Sequence, residues 1–108
     1  MTTRRSSFHI ITLGCAKNLV DSRTMAYYLY QAGFIEQEKR RMANYVIINT
    51  CGFIHDARAE SMKAIKSSIN HKRPGQKVIV TGCLSERLRE DLIKQAPGID
   101  GMIGTRDL

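Results

Sequence analysis

Tyr45-Val46-Ile47-Ile48-Asn49-Thr50-Cys51-Gly52 is the stretch on which the fold turns. Val46, Ile47 and Ile48 are apolar with no alternation, so a strand over Tyr45–Asn49 must be covered on both faces. That is the pattern of a central strand in a parallel sheet with helices above and below it. The strand ends in a polar pair, a cysteine and a glycine, and Asp56 can then cap a helix that reaches Asn70. Met62, Ile65 and Ile69 recur at helical spacing and form its inward stripe.

Working outward, the same unit repeats on either side. Upstream, Phe8–Leu13 is β-rich and runs into Gly14-Cys15. Asn18 is a plausible N-cap, with Asp21 three positions on to complete a capping box. That helix reaches Ala32, with Met25, Leu29 and Ala32 inward, and Gly33 stops it. Phe34–Glu38 is a short polar strand suited to a sheet edge, and Lys39-Arg40-Arg41 is a charged loop. Downstream, His71-Lys72-Arg73-Pro74-Gly75 breaks the chain before a strand at Lys77–Thr81, which runs into Gly82-Cys83. Ser85 caps a helix to Ala96 with Leu88, Leu92 and Ile93 inward, Pro97-Gly98 ends it, and Asp100–Gly104 is a last strand.

Strands thus alternate with helices throughout. The expected fold is a three-layer, flavodoxin-like α/β domain with a five-stranded, mostly parallel sheet of order 2-1-3-4-5. Residues 8–108 make that one domain, preceded by a flexible tail over 1–7. The chain's 108 residues, 43% hydrophobic and 25% charged, suit a single globular core. No apolar run is long enough to span a bilayer and no secretory signal opens the chain, so the expected location is the cytoplasm, with no membrane partner. A net charge of +7 is compatible with contact with RNA or the ribosome. The oligomeric state is not legible.

Cys15, Cys51 and Cys83 are the three cysteines of the chain, and each stands two residues beyond the last residue of a predicted strand. In the 2-1-3-4-5 order these are strands one, three and four, neighbours about 4.8 Å apart. Their shared carboxyl edge, near the switch between strands one and three, is where such sheets bind ligands. Three thiolates there suit a thiophilic metal or an iron–sulfur cluster, and three ligands on a 4Fe–4S cluster would leave one iron open. Gly14, Gly52 and Gly82 would let the backbone approach a bulky group. Lys17 and Asn18 are placed to touch a ligand in that crevice, and Asn49 and Thr50 lie just before the second cysteine. Two other readings stand beside this one: a zinc site completed by His55, and a redox-active thiol pair. His9 reads as a sheet-face histidine and His71 as a solvated one. Tyr27, Tyr28 and Tyr30 fall on different sides of one helix and read as packing.

Three stretches carry a family resemblance: Leu13-Gly14-Cys15-Ala16-Lys17-Asn18-Leu19-Val20-Asp21-Ser22, Ile48-Asn49-Thr50-Cys51-Gly52-Phe53-Ile54 and Val80-Thr81-Gly82-Cys83-Leu84. Together they resemble the N-terminal domain of the radical-SAM methylthiotransferases, over nearly the whole chain from Ile10. Lys17-Asn18 with Val20-Asp21-Ser22 is similar to the branch that methylthiolates an aspartate of a small-subunit ribosomal protein. A tRNA-modifying branch is the alternative. The resemblance implies that Cys15, Cys51 and Cys83 hold an auxiliary 4Fe–4S cluster whose open iron carries the transferred sulfur. It implies S-adenosylmethionine and a second 4Fe–4S cluster in a radical-SAM domain. That domain's Cys-x3-Cys-x2-Cys motif is absent from these residues, as is a C-terminal substrate-binding domain, so the chain alone is expected to be inactive. Arg23, Asn44 and Arg106 depart from the family pattern at positions outside the cysteine motifs.

Overall fold

A computed structural model describes residues 6–14, 16–50, 55–82 and 86–104. It has β1 (Ser7–Thr12), α1 (Ala16–Gln31), β2 (Ile35–Glu36), a 3-10 turn (Arg40–Met42), β3 (Tyr45–Thr50), α2 (His55–Asn70), β4 (Lys77–Gly82), α3 (Glu86–Gln95) and β5 (Gly101–Gly104). The strands form one sheet of order β2-β1-β3-β4-β5, and every pairing is parallel. The expected architecture and strand order are what the chain adopts.

The order of the strands dictates where the helices go. The crossover from β1 to β2 moves one way across the sheet, and those from β3 to β4 and β4 to β5 move the other. Right-handed crossovers in opposite directions must lie on opposite faces. Accordingly, Met25 of α1 packs with Phe8 and Ile47 on one face, joined by Ile10, Leu29 and Ile79. On the other face Val46, Ile48, Val78 and Val80 pack against Ile65 of α2 and Leu92 and Ala96 beside α3. β3 feeds both cores, as its unbroken apolar run requires. Burying each of these large side chains contributes about 1.5–3 kcal/mol.

Several local expectations need correction. α1 begins at Ala16, so Asn18 lies inside its first turn and is not the cap. It is buried, with its side-chain amide donating to Leu13 O just after β1 and to Thr50 O at the end of β3 rather than accepting from helix N–H groups. The helix ends at Gln31, and Ala32 is exposed rather than inward. Gly33 terminates it at φ +94°, where Phe34 N–H donates to Leu29 O at 2.9 Å and Gly33 N–H to Tyr30 O at 3.0 Å, a Schellman motif.

β2 is only Ile35–Glu36, because Phe34 turns into the core beneath α1 and stacks edge-on against Tyr45. α2 starts at His55, one residue ahead of the expected cap. In α3, Leu92 is buried but Ile93 is 55% exposed, so Ile93 does not belong to the inward stripe. Tyr27 and Tyr28 are largely exposed and pack on each other, while Tyr30 lies against Phe8 and its hydroxyl donates to Glu36 at 2.6 Å. The expectations for Ser85 and Leu88 lie outside the described residues and side chains. No helix among the described residues is long and apolar enough to cross a membrane.

Candidate functional site

β1, β3 and β4 end side by side, and their last turns of register set the site. Thr12 pairs with Asn49, Asn49 with Thr81, and Thr50 with Gly82. The three polar residues Thr12, Asn49 and Thr81 therefore form one row across the carboxyl edge of the sheet. In the sequence Cys15, Cys51 and Cys83 follow that row by two or three residues. The cysteines themselves lie outside the described residues, as do Gly52 and the side chains of Lys17 and His55.

A buried hydrogen-bond network ties this row together. Asn49 is 1% exposed, and its side-chain amide donates to Asn18 O at 2.9 Å and to Ser22 Oγ at 3.1 Å. Ser22 Oγ also lies 2.6 Å from Thr12 Oγ1, and Thr81 Oγ1 donates to Asn49 Oδ1 at 3.4 Å. Asn18 completes the bridge: its Nδ2 donates to Leu13 O at 2.6 Å and to Thr50 O at 2.9 Å. Thr50 Oγ1 donates to Thr81 O at 2.9 Å, and Leu13 N–H to Asn49 O at 3.0 Å. Leu13, Thr50 and Thr81 stand one or two residues before the three cysteines. The segment ahead of each is thus bonded to its neighbour. Buried polar groups persist in a core only when satisfied, and a fully paired network of this kind holds one geometry.

Two glycines of the site have positive φ, Gly14 at +89° and Gly82 at +126°. Gly82 has a second requirement. A Cβ there would meet Thr50 O and would stand 2.8 Å from Thr50 Oγ1, so only glycine lets β3 and β4 stay paired to their last residues. Close backbone approach at the mouth of the site is therefore built in. A cluster needs open backbone and thiolate donors that converge, and the adjacent strand ends and the Cys15, Cys51, Cys83 donor set fit such a group.

Of the predicted surroundings, Gly14, Asn18, Asn49, Thr50 and Gly82 gather at this edge. Asn18, Asn49 and Thr50 form part of the wall beneath it, bonded to the chain. Sequence reasoning missed Thr12, Ser22 and Thr81. Their signal was a polar residue recurring near the end of each cysteine-bearing strand, and a serine four residues after Asn18 on the same helix face. His9 stays at the sheet, its Nδ1 2.8 Å from Gln37 O, and His71 is exposed with Nδ1 2.8 Å from Ser67 O. Asn44 Oδ1 accepts from Ser7 N–H at 2.8 Å. A groove of about 170 Å3 between α1 and the sheet, lined by Met25, Tyr28, Leu29, Ile79 and Ile103, reaches the network at Thr81.

Comparison with known proteins agrees with the resemblance in the cysteine motifs. A family model described as "Uncharacterized protein family UPF0004" matches residues 7–104. The chain is 45% identical over 101 residues to the "Ribosomal protein uS12 methylthiotransferase RimO" of Syntrophotalea carbinolica, covering 92% of this chain and 22% of that protein. It is 40% identical to the protein of the same name from Chlamydia abortus, over 98% of this chain and 23% of the relative. For that of Chlorobium phaeovibrioides the identity is 40%, over 100% and 25%. The chain spans about a quarter of the length of the curated relatives it matches. With its motifs, its parallel sheet and a match from Ser7 to Gly104, the chain belongs to the UPF0004 family, the N-terminal domain of methylthiotransferases such as RimO.

Proposed function

We propose that this chain is the auxiliary-cluster domain of a methylthiotransferase that modifies an aspartate of a small-subunit ribosomal protein. One observation carries the reading: the segments that lead into Cys15, Cys51 and Cys83 end side by side in one sheet and are locked by Asn18, Asn49 and Thr50. The thiols would hold a 4Fe–4S cluster, which when bound supplies the sulfur of the methylthio group. Gly14 and Gly82 keep the approach free of side chains, and Asn18 holds the first two strand ends in register. Gly52, and Lys17 in the first turn of α1, belong to the same surroundings in this reading.

S-adenosylmethionine and a second 4Fe–4S cluster belong to a radical-SAM domain elsewhere in a longer polypeptide, as does substrate binding, so residues 8–108 alone would not turn over. The names of the relatives support a ribosomal protein over tRNA as substrate. A cytoplasmic location follows from that substrate. Anaerobic reconstitution with iron and sulfide should load about four irons per chain, and Cys15→Ala, Cys51→Ala or Cys83→Ala should each abolish that uptake. A colourless protein without iron would overturn the reading. Zinc at about one per chain, lost in His55→Ala, would replace it with a structural zinc site.

A further inference from the structure

The end of the domain opposite the cysteines carries most of its excess charge. Two loops meet there. One, residues 39–44, leads into β3 and contains Lys39, Arg40 and Arg41; the other, residues 71–77, leads into β4 and contains Lys72, Arg73 and Lys77. Neither loop contains a carboxylate. The side chain of Gln76, itself 4% exposed, joins them by donating to Arg40 O at 2.9 Å and Ala43 O at 2.8 Å. Lys77 N–H adds a bond to Asn44 O at 2.9 Å.

The six cations therefore share one rigid face. Arg40 is half-spent, its Nη1 3.4 Å from Ser67 Oγ and 3.3 Å from Ser68 Oγ, and Lys72 is paired with Asp100 at 2.6 Å. Lys39, Arg41, Arg73 and Lys77 are exposed. Glu38 borders the face next to Lys39, and Glu36 is engaged by Tyr30. In the chain the first two turns of α2 and α3, which start at the cysteine end, mix Asp56, Glu60, Glu86, Glu90 and Asp91 with Arg58, Arg87 and Arg89. The cysteine end is thus of mixed charge, and the carboxylate-free cluster of cations lies at the opposite end.

We infer that this face binds the phosphate backbone of RNA. The chemistry favours RNA over other acidic partners. The exposed cations are a mixture of lysine and arginine on joined loops, Arg73 Nη2 also reaching Ala43 O at 3.5 Å, with exposed His71 beside them. Neither loop contains a phenylalanine, tyrosine or tryptophan to read a base, and Met42 is the large apolar side chain exposed among the cations. Such a face makes sequence-independent phosphate contacts. The inference extends the reading of a ribosomal substrate, which would be presented among phosphates, and it gives the domain a direction. Strands of six residues put the RNA-bound end about 20 Å from the cysteine end, which is left facing away from the phosphates.

The test is fluorescence anisotropy with labelled poly(U) and the 108-residue chain, across a salt series. Native protein should bind with a dissociation constant of about 1–100 μM near physiological salt, as non-specific contacts do. Lys39→Glu with Arg41→Glu should weaken binding at least about tenfold and reduce the log–log salt slope by about 1.4, or 0.7 for each lost contact. Arg23→Glu, on exposed α1, should leave that slope unchanged. Both changed side chains on the loop are exposed, so an unaltered melting temperature checks that the variant folds. Equal binding by native and double variant, or equally tight and equally salt-dependent binding of polyglutamate, would overturn the inference. Iron uptake measured on the same variant reports separately on the cysteines, so the failure of either idea is distinguishable from that of the other.

Discussion

Asn49 and Asn18 are joined in one direction: the Asn49 carboxamide donates to Asn18 O at 2.9 Å, and Asn18 passes the link on to Leu13 O and Thr50 O. A buried strand residue thus positions the first turn of a helix, and that turn grips the ends of two strands. Asn18→Ala should cost about 1–3 kcal/mol in chemical denaturation, because a buried and a half-buried carbonyl lose their donor. Asn18→Asp should be at least as harmful at neutral pH, since it sets a carboxylate against both carbonyls. Wild-type stability in the aspartate variant would show that the amide is not the clamp.

Gly82 separates steric need from backbone freedom. It has φ +126° and would place a Cβ against Thr50 O, whereas Gly33, at +94°, has nothing within 4 Å. Gly33→Ala should cost about 1–2 kcal/mol, the ordinary penalty of a left-handed residue. Gly82→Ala must add the displacement of β3 from β4, so its loss in melting experiments should exceed that of Gly33→Ala by about 1 kcal/mol or more. Equal losses would mean that the strand ends can part freely.

Asp100 fastens the loop before β5 to the start of β4, accepting from Val78 N–H at 2.8 Å and from Lys72 Nζ at 2.6 Å. Partial desolvation pushes its pKa up, but the Lys72 and Val78 hydrogen bonds and the charges of Lys72 and Lys77 outweigh that and hold it below the usual 3.8. A carboxyl whose folded pKa is depressed contributes stability above its unfolded value and loses it as pH falls through the folded one. The site is well solvated, so Asp100→Asn should cost only about 0.5–1 kcal/mol at pH 7. The difference from wild type should shrink below about pH 4. A gap that persists unchanged at pH 2.5 would assign the effect to packing.

Ser61, in α2, has a buried Oγ with no hydrogen-bond partner among the described residues. Removing an unsatisfied buried hydroxyl relieves a desolvation cost and favours the helix, so Ser61→Ala should be neutral or stabilising by up to about 1 kcal/mol. A clear loss of stability on urea denaturation would point to a partner for that hydroxyl.

The parts of the fold that the chain spells locally were legible. An unbroken Val46-Ile47-Ile48 run requires cover on both faces, and the polar Ile35–Glu36 strand requires an edge; both hold. Helix ends were read less well. Asn18 resembles a cap by residue type, yet its partners are Leu13 and Thr50, one of them 32 residues away. Ile93 fits an inward stripe by spacing, yet it is exposed, and among the described side chains Leu92 of α3 and Ala96 after it are the ones buried against the sheet.

By itself, then, the sequence determined the alternation of strands and helices, the mostly parallel logic of the sheet and the placing of a cysteine after each of three strands. These follow from side-chain period, glycine breaks and order along the chain, which are local properties. Only the tertiary structure decided how the strand ends are held. The register that opposes Thr50 to Gly82 makes a glycine obligatory there, and the packing of α1 carries Asn18 to Thr50. The joining of the two basic loops by Gln76 is of the same kind. Each depends on contacts between residues about thirty or more positions apart, whose geometry is set by strand pairing and helix docking and leaves no period in the chain.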